Sequence, residues 1–134
     1  MSYLNARRAI VSALCITCVV ILTHMPQRHL PITFNSPWLQ ALQHIVAYGA
    51  LTMLVLSTIP AYKGIKLLLV VLVAMACLAA ADEITQPLFG RQAELIDFGS
   101  NLAGITIVLA VQSIRNQFSR QIFNKRLLLG TQSD

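Results

Sequence analysis

Four apolar runs, each long enough to cross a lipid bilayer, constrain this fold more than any other feature of the chain. They cover residues 9–25, 39–59, 65–84 and 95–114. Crossing roughly 30 Å of hydrocarbon takes about 20 helical residues, which is close to the length of each run. Because 56% of the 134 residues are hydrophobic and only 11% are charged, little sequence remains for a soluble domain. We therefore expect a single all-α membrane domain over residues 1–134, folded as a bundle of four transmembrane helices.

The placement of lysine and arginine predicts the orientation, because the cytoplasmic flanks of membrane spans are rich in positive charge. Basic residues precede the first run, separate the second from the third and follow the fourth, whereas only Arg28 and Arg91 fall in the other two connections. Both termini are therefore expected in the cytoplasm. The basic tail 115–134 alternates charged with apolar residues and predicts an amphipathic helix on the inner leaflet. Since topology already explains the positive charge, no nucleic-acid partner is expected.

The ionisable residues are concentrated around the connection between the third and fourth runs. Four of the five carboxylates lie there, namely Asp82, Glu83, Glu94 and Asp97. Ionisable groups beside a bilayer are costly unless they have partners, and they commonly mark functional sites.

Helical spacing indicates which of these polar residues share a face, since positions three or four apart lie together. The pairs are His44 with Tyr48 on the second run, Glu83 with Gln86 at the end of the third, and Asp97 with Asn101 on the fourth. All three pairs fall at a similar depth below the outer ends of their helices. We expect a shallow polar pocket that opens toward the outer leaflet, and Arg91 in the outer connection can bridge Glu83 or Asp97.

Three interpretations of this pocket remain open. The pocket can bind a polar ligand through the residues His44, Tyr48, Glu83, Gln86, Arg91, Asp97 and Asn101. It can instead catalyse a reaction, with Glu83 or Asp97 as general base and His44 as the acid partner. It can also be a polar clasp that only holds the helices together through interhelical hydrogen bonds. No two histidines share a helix at metal-ligand spacing, so neither a metal nor another cofactor is expected.

The order and spacing of these residues resemble the VanZ-like family of small integral membrane proteins. His44 and Tyr48 form an H-x-x-x-Y pattern, and a longer pattern follows over the third and fourth runs, made of Glu83, Gln86, Gly90, Arg91, Asp97, Asn101 and Gly104. The resemblance covers about two thirds of the chain. It departs from the family where Gln40-Ala41 replaces an Asp-Lys pair and Phe89 replaces a proline.

The resemblance implies a multi-pass protein of the bacterial cytoplasmic (inner) membrane that acts in the cell envelope. The family is named for a member linked to resistance against the lipoglycopeptide teicoplanin. Resemblance to the family does not by itself transfer that resistance, so a link of this chain to teicoplanin resistance stays open. It also implies that the pocket meets membrane lipids, with an envelope lipid head group or a lipidated compound at the outer leaflet as the ligand. The alternative is a membrane-embedded enzyme that acts on a lipid-linked substrate. The oligomeric state stays open.

Overall fold

The computed structural model describes residues 3–23, 36–59, 64–90 and 92–130, and these residues form four α-helices. The helices are α1 (Tyr3–Thr23), α2 (Pro37–Thr58), α3 (Ile65–Thr85) and α4 (Leu95–Gly130), and a 3₁₀ turn (Gln86–Phe89) directly follows α3. No strand occurs in this described part of the chain. The predicted all-α class is confirmed, and each apolar run corresponds to one helix.

Three of the helices are long and apolar enough to cross a membrane, over Pro37–Thr58, Ile65–Phe89 and Leu95–Lys125. Large apolar side chains lie exposed along them, including Val46, Met53, Leu69, Val73 and Ile107. Exposed apolar surface on this scale is unfavourable in water but favourable against lipid. These features indicate a membrane protein. A fourth span at α1 and the cytoplasmic position of both termini remain predictions.

Helix α2 begins two residues before the second apolar run. Ser36 has an extended backbone at the N-cap, and its carbonyl oxygen accepts hydrogen bonds from the amides of Leu39 and Gln40, both at 3.0 Å. Pro37 occupies the first helical turn, where its missing N–H costs nothing. Trp38, the next residue, is 87% exposed, as suits an aromatic side chain at a membrane interface.

Helix α4 is longer than the predicted span. The sequence predicts a span over residues 95–114 and a separate amphipathic tail, whereas α4 continues without interruption to Gly130. No proline occurs in this stretch, and no glycine lies between Gly104 and Gly130, so nothing in the sequence breaks the helix. At 36 residues, α4 is about 54 Å long. The tail is thus a continuation of α4 as far as Gly130.

Helix α4 is also the centre of the packing. It makes its most extensive contacts with α2 and its next most extensive with α3, whereas α2 and α3 contact each other only over a small area. Helix α1 packs against α2. The helices α2 and α3, which are consecutive in sequence, are therefore held together mainly through α4.

Each packed helix buries one face defined by steps of three and four residues. On α3 the buried residues are Leu68, Val71, Met75, Ala79, Asp82 and Glu83. On α4 they are Asp97, Ser100, Asn101, Gly104, Ile105 and Leu109. In chain direction the buried face changes from apolar to polar on α3 and from polar to apolar on α4. The polar parts meet at the end of the bundle where α2 and α4 begin and α3 ends, which is called the site end below.

The closest contact between α2 and α4 occurs at Gly104. A β-carbon at this position would overlap the carbonyl oxygen of Ile45 and would lie 3.0 Å from the amide nitrogen of Gly49. Only glycine therefore allows the two backbones to touch. Gly104 thus serves packing within the chain. This contact brings the polar side chains at the start of α4 within reach of α2.

Candidate functional site

The candidate site is a group of hydrogen-bonded side chains at the site end, called the polar cluster: His44, Glu83, Gln86, Asp97 and Asn101. Glu83 is two residues before the end of α3, and Asp97 is the third residue of α4. Both therefore lie only about 3 Å along the helix axis from the helix end. His44 is about two turns into α2. The cluster is assembled from three helices and lies beside the connection between α3 and α4.

His44 has an oxygen atom facing each of its ring nitrogens. Its Nδ1 is 2.9 Å from Oδ1 of Asn101, and its Nε2 is 3.3 Å from Oδ2 of Asp97. His44 is 5% exposed and Asp97 is 4% exposed. Asp97 also lies in the first turn of α4, where the helix dipole favours a negative charge. The ring is thus fixed in orientation from both sides.

The carboxylate of Glu83 accepts hydrogen bonds at both of its oxygens. The side-chain amides of Asn101 and Gln86 each donate to Oε1 at 3.3 Å, and the backbone amide of Glu94 approaches Oε2 at 3.4 Å. These donors come from α4, the 3₁₀ turn and the segment just before α4. Glu83 therefore links the end of α3 to the start of α4.

Asn101 connects the two halves of the cluster and is fully buried. Its side-chain nitrogen donates to Glu83, so its side-chain oxygen is the atom that faces His44. That oxygen only accepts hydrogen bonds, so Nδ1 of His44 carries the proton and donates it. In a neutral ring, the lone pair of Nε2 then faces the Asp97 carboxylate. These two hydrogen-bond acceptors face each other stably only with a proton or another cation between them.

Gln86 has an unused acceptor. Its side chain is fully buried, and its nitrogen donates to Glu83. Its side-chain oxygen accepts no hydrogen bond from the residues that the structure describes. A buried amide oxygen without a donor is costly, so this atom is available to a water or a ligand beside Glu83.

Tyr48 has a different partner from the rest of the predicted site. Its hydroxyl hydrogen-bonds to the side chain of Asp82, and its ring is 1% exposed in the apolar core. Asp82 is absent from the predicted set of ligand residues, yet it is 4% exposed and adjoins Glu83. Its spacing from Ala79 and Gln86, three and four residues, places it on the buried face of α3 and could have revealed it.

The structure thus brings together His44, Glu83, Gln86, Asp97 and Asn101, and it places Tyr48 next to them through Asp82. Arg91, the other predicted ligand residue, lies outside the described residues. The carboxylates and imidazole of the cluster are at most 6% exposed, so they face one another rather than an open depression. Chemically, the cluster offers two carboxylates, one imidazole and two amides within a few ångströms. No family model, curated protein or solved structure matches this chain.

Proposed function

We propose that this chain is an integral protein of the bacterial cytoplasmic membrane that binds the polar head group of an envelope lipid or of a lipidated compound at the polar cluster. In this proposal the chain is VanZ-like and spans the membrane four times, with α1 as the first span and both termini in the cytoplasm. The ligand then approaches from the outer leaflet, through the connection between α3 and α4. A link to teicoplanin-type resistance belongs to the same proposal.

The observation that carries the proposal is the position of Glu83 and Asp97. Both carboxylates lie within one helical turn of the ends of their helices. In the proposed topology these are the outer ends, so the carboxylates would fall near the depth of lipid head groups. A carboxylate there can accept hydrogen bonds from hydroxyl or amide groups of a head group. Arg91, which the sequence places in the same connection, supplies a positive charge suited to phosphate or carboxylate.

Because the cluster is buried, a ligand reaches it only by displacing a contact that covers it. The connection between α3 and α4 includes the exposed residues Gln92, Ala93 and Glu94, and it meets the cluster through the backbone amide of Glu94. Displacing that one hydrogen bond, at 3.4 Å, exposes one carboxylate oxygen of Glu83. The proposed ligand replaces this weak contact, so its entry breaks only one long hydrogen bond.

The test identifies the lipids that copurify with the protein in nanodiscs, using mass spectrometry of the extracted lipid. We expect one lipid class to be enriched over the bulk membrane and to lose that enrichment in Arg91→Ala. The matched control is Arg115→Ala, which removes an exposed arginine at the opposite end of the bundle and leaves the enrichment intact. The same lipid profile in wild type and Arg91→Ala would contradict the assignment of Arg91 and the proposal with it.

A second candidate function is catalysis on a lipid-linked substrate, and the contact between His44 and Asp97 favours it. An imidazole 3.3 Å from a carboxylate is a common general acid–base arrangement, with Glu83 beside it as a further base. The measurement compares envelope lipids from cells without the gene and from cells carrying wild-type or Glu83→Gln protein at equal abundance. A lipid species that changes only with wild type indicates catalysis or transport.

The polar clasp is the outcome that argues against both functions. If the cluster only holds the helices together, Glu83→Gln lowers the melting temperature in detergent and changes no lipid. Measuring thermal stability beside the lipid profile therefore separates the three interpretations.

A further inference from the structure

We infer that His44, Glu83 and Asp97 bind one divalent transition-metal ion, with Zn²⁺ as the best fit to the ligands. The three residues each offer one ligand atom, and these atoms lie within 4.8 Å of one another. All three side chains are buried. One imidazole nitrogen and two carboxylate oxygens make a three-ligand set, and open zinc sites likewise use three protein ligands and keep a fourth position for water or substrate, although with more histidine or cysteine. This inference goes beyond head-group binding and does not depend on it.

The distance between His44 and Asp97 matches the spacing of two ligands on one metal. Nε2 of His44 and Oδ2 of Asp97 are 3.3 Å apart. In a tetrahedral site with bonds of about 2.0 Å, neighbouring donor atoms are separated by about 3.3 Å. When the imidazole ring is neutral, each of these two atoms points a lone pair at the other. A metal ion between them removes that repulsion.

The surroundings of the ligands have the hydrogen bonds that metal sites need. Nδ1 of His44 donates to the side-chain oxygen of Asn101 at 2.9 Å, which fixes the tautomer and directs Nε2 toward Asp97. The nitrogen of the same Asn101 holds Glu83 in place at 3.3 Å. One buried amide therefore orients two of the three ligands.

The charge of the cluster calls for a cation. Two carboxylates with a neutral imidazole would carry a charge of about −2, which is expensive to bury and which either protons or a divalent ion would neutralise. The side-chain partners of Glu83 and Asp97 among the described residues are two amides and His44, with no lysine or arginine. Arg91 and a proton on His44 are the competing sources of positive charge. Metal titration of Arg91→Ala tests the first, and absence of stoichiometric metal binding by the wild-type protein would leave the second.

Gln86 provides an independent indication of a ligand. Its side-chain oxygen is fully buried and has no donor among the described residues, although the nitrogen of the same amide bonds to Glu83. A water molecule on the fourth position of the metal could donate a hydrogen bond to this oxygen. The orphaned acceptor and the incomplete ligand set would then satisfy each other. The ligands come from three helices, so no metal motif is visible in the sequence.

The experiment uses the full chain in detergent, stripped with a chelator and titrated with Zn²⁺ by calorimetry. We expect one ion per chain and a rise in melting temperature on binding. His44→Ala and Asp97→Asn should weaken binding by about 100-fold or more, and Asn101→Ala by about 10- to 100-fold, because it only orients the ligands. Glu94→Gln is the matched control, since it alters an exposed carboxylate outside the ligand set, keeps the backbone amide that faces Glu83, and should bind as wild type does.

X-ray absorption at the zinc edge of the wild-type protein keeps the inference testable if a variant fails to fold. One nitrogen ligand and further oxygen ligands are expected. Absence of stoichiometric binding by Zn²⁺, Mn²⁺, Mg²⁺ and Ca²⁺ would overturn the inference, as would unchanged affinity in both His44→Ala and Asp97→Asn. Arg91→Ala removes the competing cation and should leave the affinity for Zn²⁺ unchanged. Metal binding by Arg91→Ala but not by the wild-type protein would also overturn the inference. None of these results depends on the lipid profile, so either proposal can fail alone.

Discussion

The two ends of the α2–α3–α4 bundle are held together by different interactions. At the site end, hydrogen bonds between buried ionisable and amide side chains join three helices. Toward the opposite end, the same three helices meet through apolar side chains, including Leu51, Leu56, Leu68, Val71, Ile105 and Leu109. The change occurs within one turn of α4, between Asn101 and Ile105, which are both fully buried.

This contrast shows which half of the bundle is unusual for a membrane protein. Apolar helices associate in lipid through close packing alone, since lipid tails are as apolar as the side chains. The apolar half is therefore sufficient for a bundle. Two buried carboxylates and an imidazole at the other end carry a desolvation cost that packing does not require. A cost of this kind is explained more readily by a ligand than by assembly.

The largest effect on this contrast is expected from Asn101→Leu. The substitution removes the donor to Glu83 and the acceptor for His44, which leaves two buried ionisable groups short of a partner. We expect a loss of about 3 to 5 kcal/mol in the free energy of unfolding, as for other broken buried polar networks. Reversible unfolding in mixed detergent micelles measures it.

The matched control for Asn101→Leu is Gln112→Leu on the same helix. Gln112 donates to Asn116 at 2.8 Å within one helix, away from the polar cluster. Loss of such a pair costs about 0.5 kcal/mol or less. Equal effects of the two substitutions would mean that the polar cluster contributes no more to stability than an ordinary helix pair, and the contrast between the ends would disappear.

The next effect concerns Gly104, where the polar and apolar parts of α4 adjoin. Gly104→Ala places a β-carbon against the backbone of α2 at Ile45, so the helices must separate. We expect a loss of about 2 to 3 kcal/mol, typical of overpacking. At Gly49, by contrast, an added β-carbon would be 3.6 Å from its nearest neighbour, an ordinary contact. Gly49→Ala should be neutral or stabilising, and comparable losses in both variants would contradict the close approach at Gly104.

The sequence predicts the elements of this fold better than their arrangement. The lengths of the apolar runs predict the four helices, and the spacing of three and four residues predicts the buried faces that carry His44, Glu83 and Asp97. Helical spacing describes one helix at a time, so it does not fix the rotation of one helix against another. The central place of α4 and the pairing of Tyr48 with Asp82 therefore became visible only in the structure.

The candidate site shows the same limit. Spacing predicts that Asn101 faces the cluster, but its role as a bridge between His44 and Glu83 depends on the register of α2 and α4. That register is set by the contact between Gly104 and Ile45, whereas the sequence alone shows only a small residue. The basic residues after residue 114 predict the end of a membrane span, but charge does not break a helix, so α4 continues to Gly130.

The smallest effect is expected in the turn at the site end. Gly90 ends the 3₁₀ turn with φ of 74°, in the left-handed region, and its amide donates to the carbonyl of Pro87 at 3.2 Å. A β-carbon there would meet nothing within 4 Å, so Gly90→Ala adds only backbone strain, about 1 kcal/mol. Gly99→Ala is the control, because Gly99 is also open but helical, and alanine should stabilise α4 by up to about 1 kcal/mol. If Gly90→Ala is as stable as wild type, the turn is not held in this conformation. If Gly90→Ala weakens ligand binding far more than it lowers stability, the turn positions the connection over Glu83. The site end then depends on its loop, whereas the apolar end depends on helix packing alone.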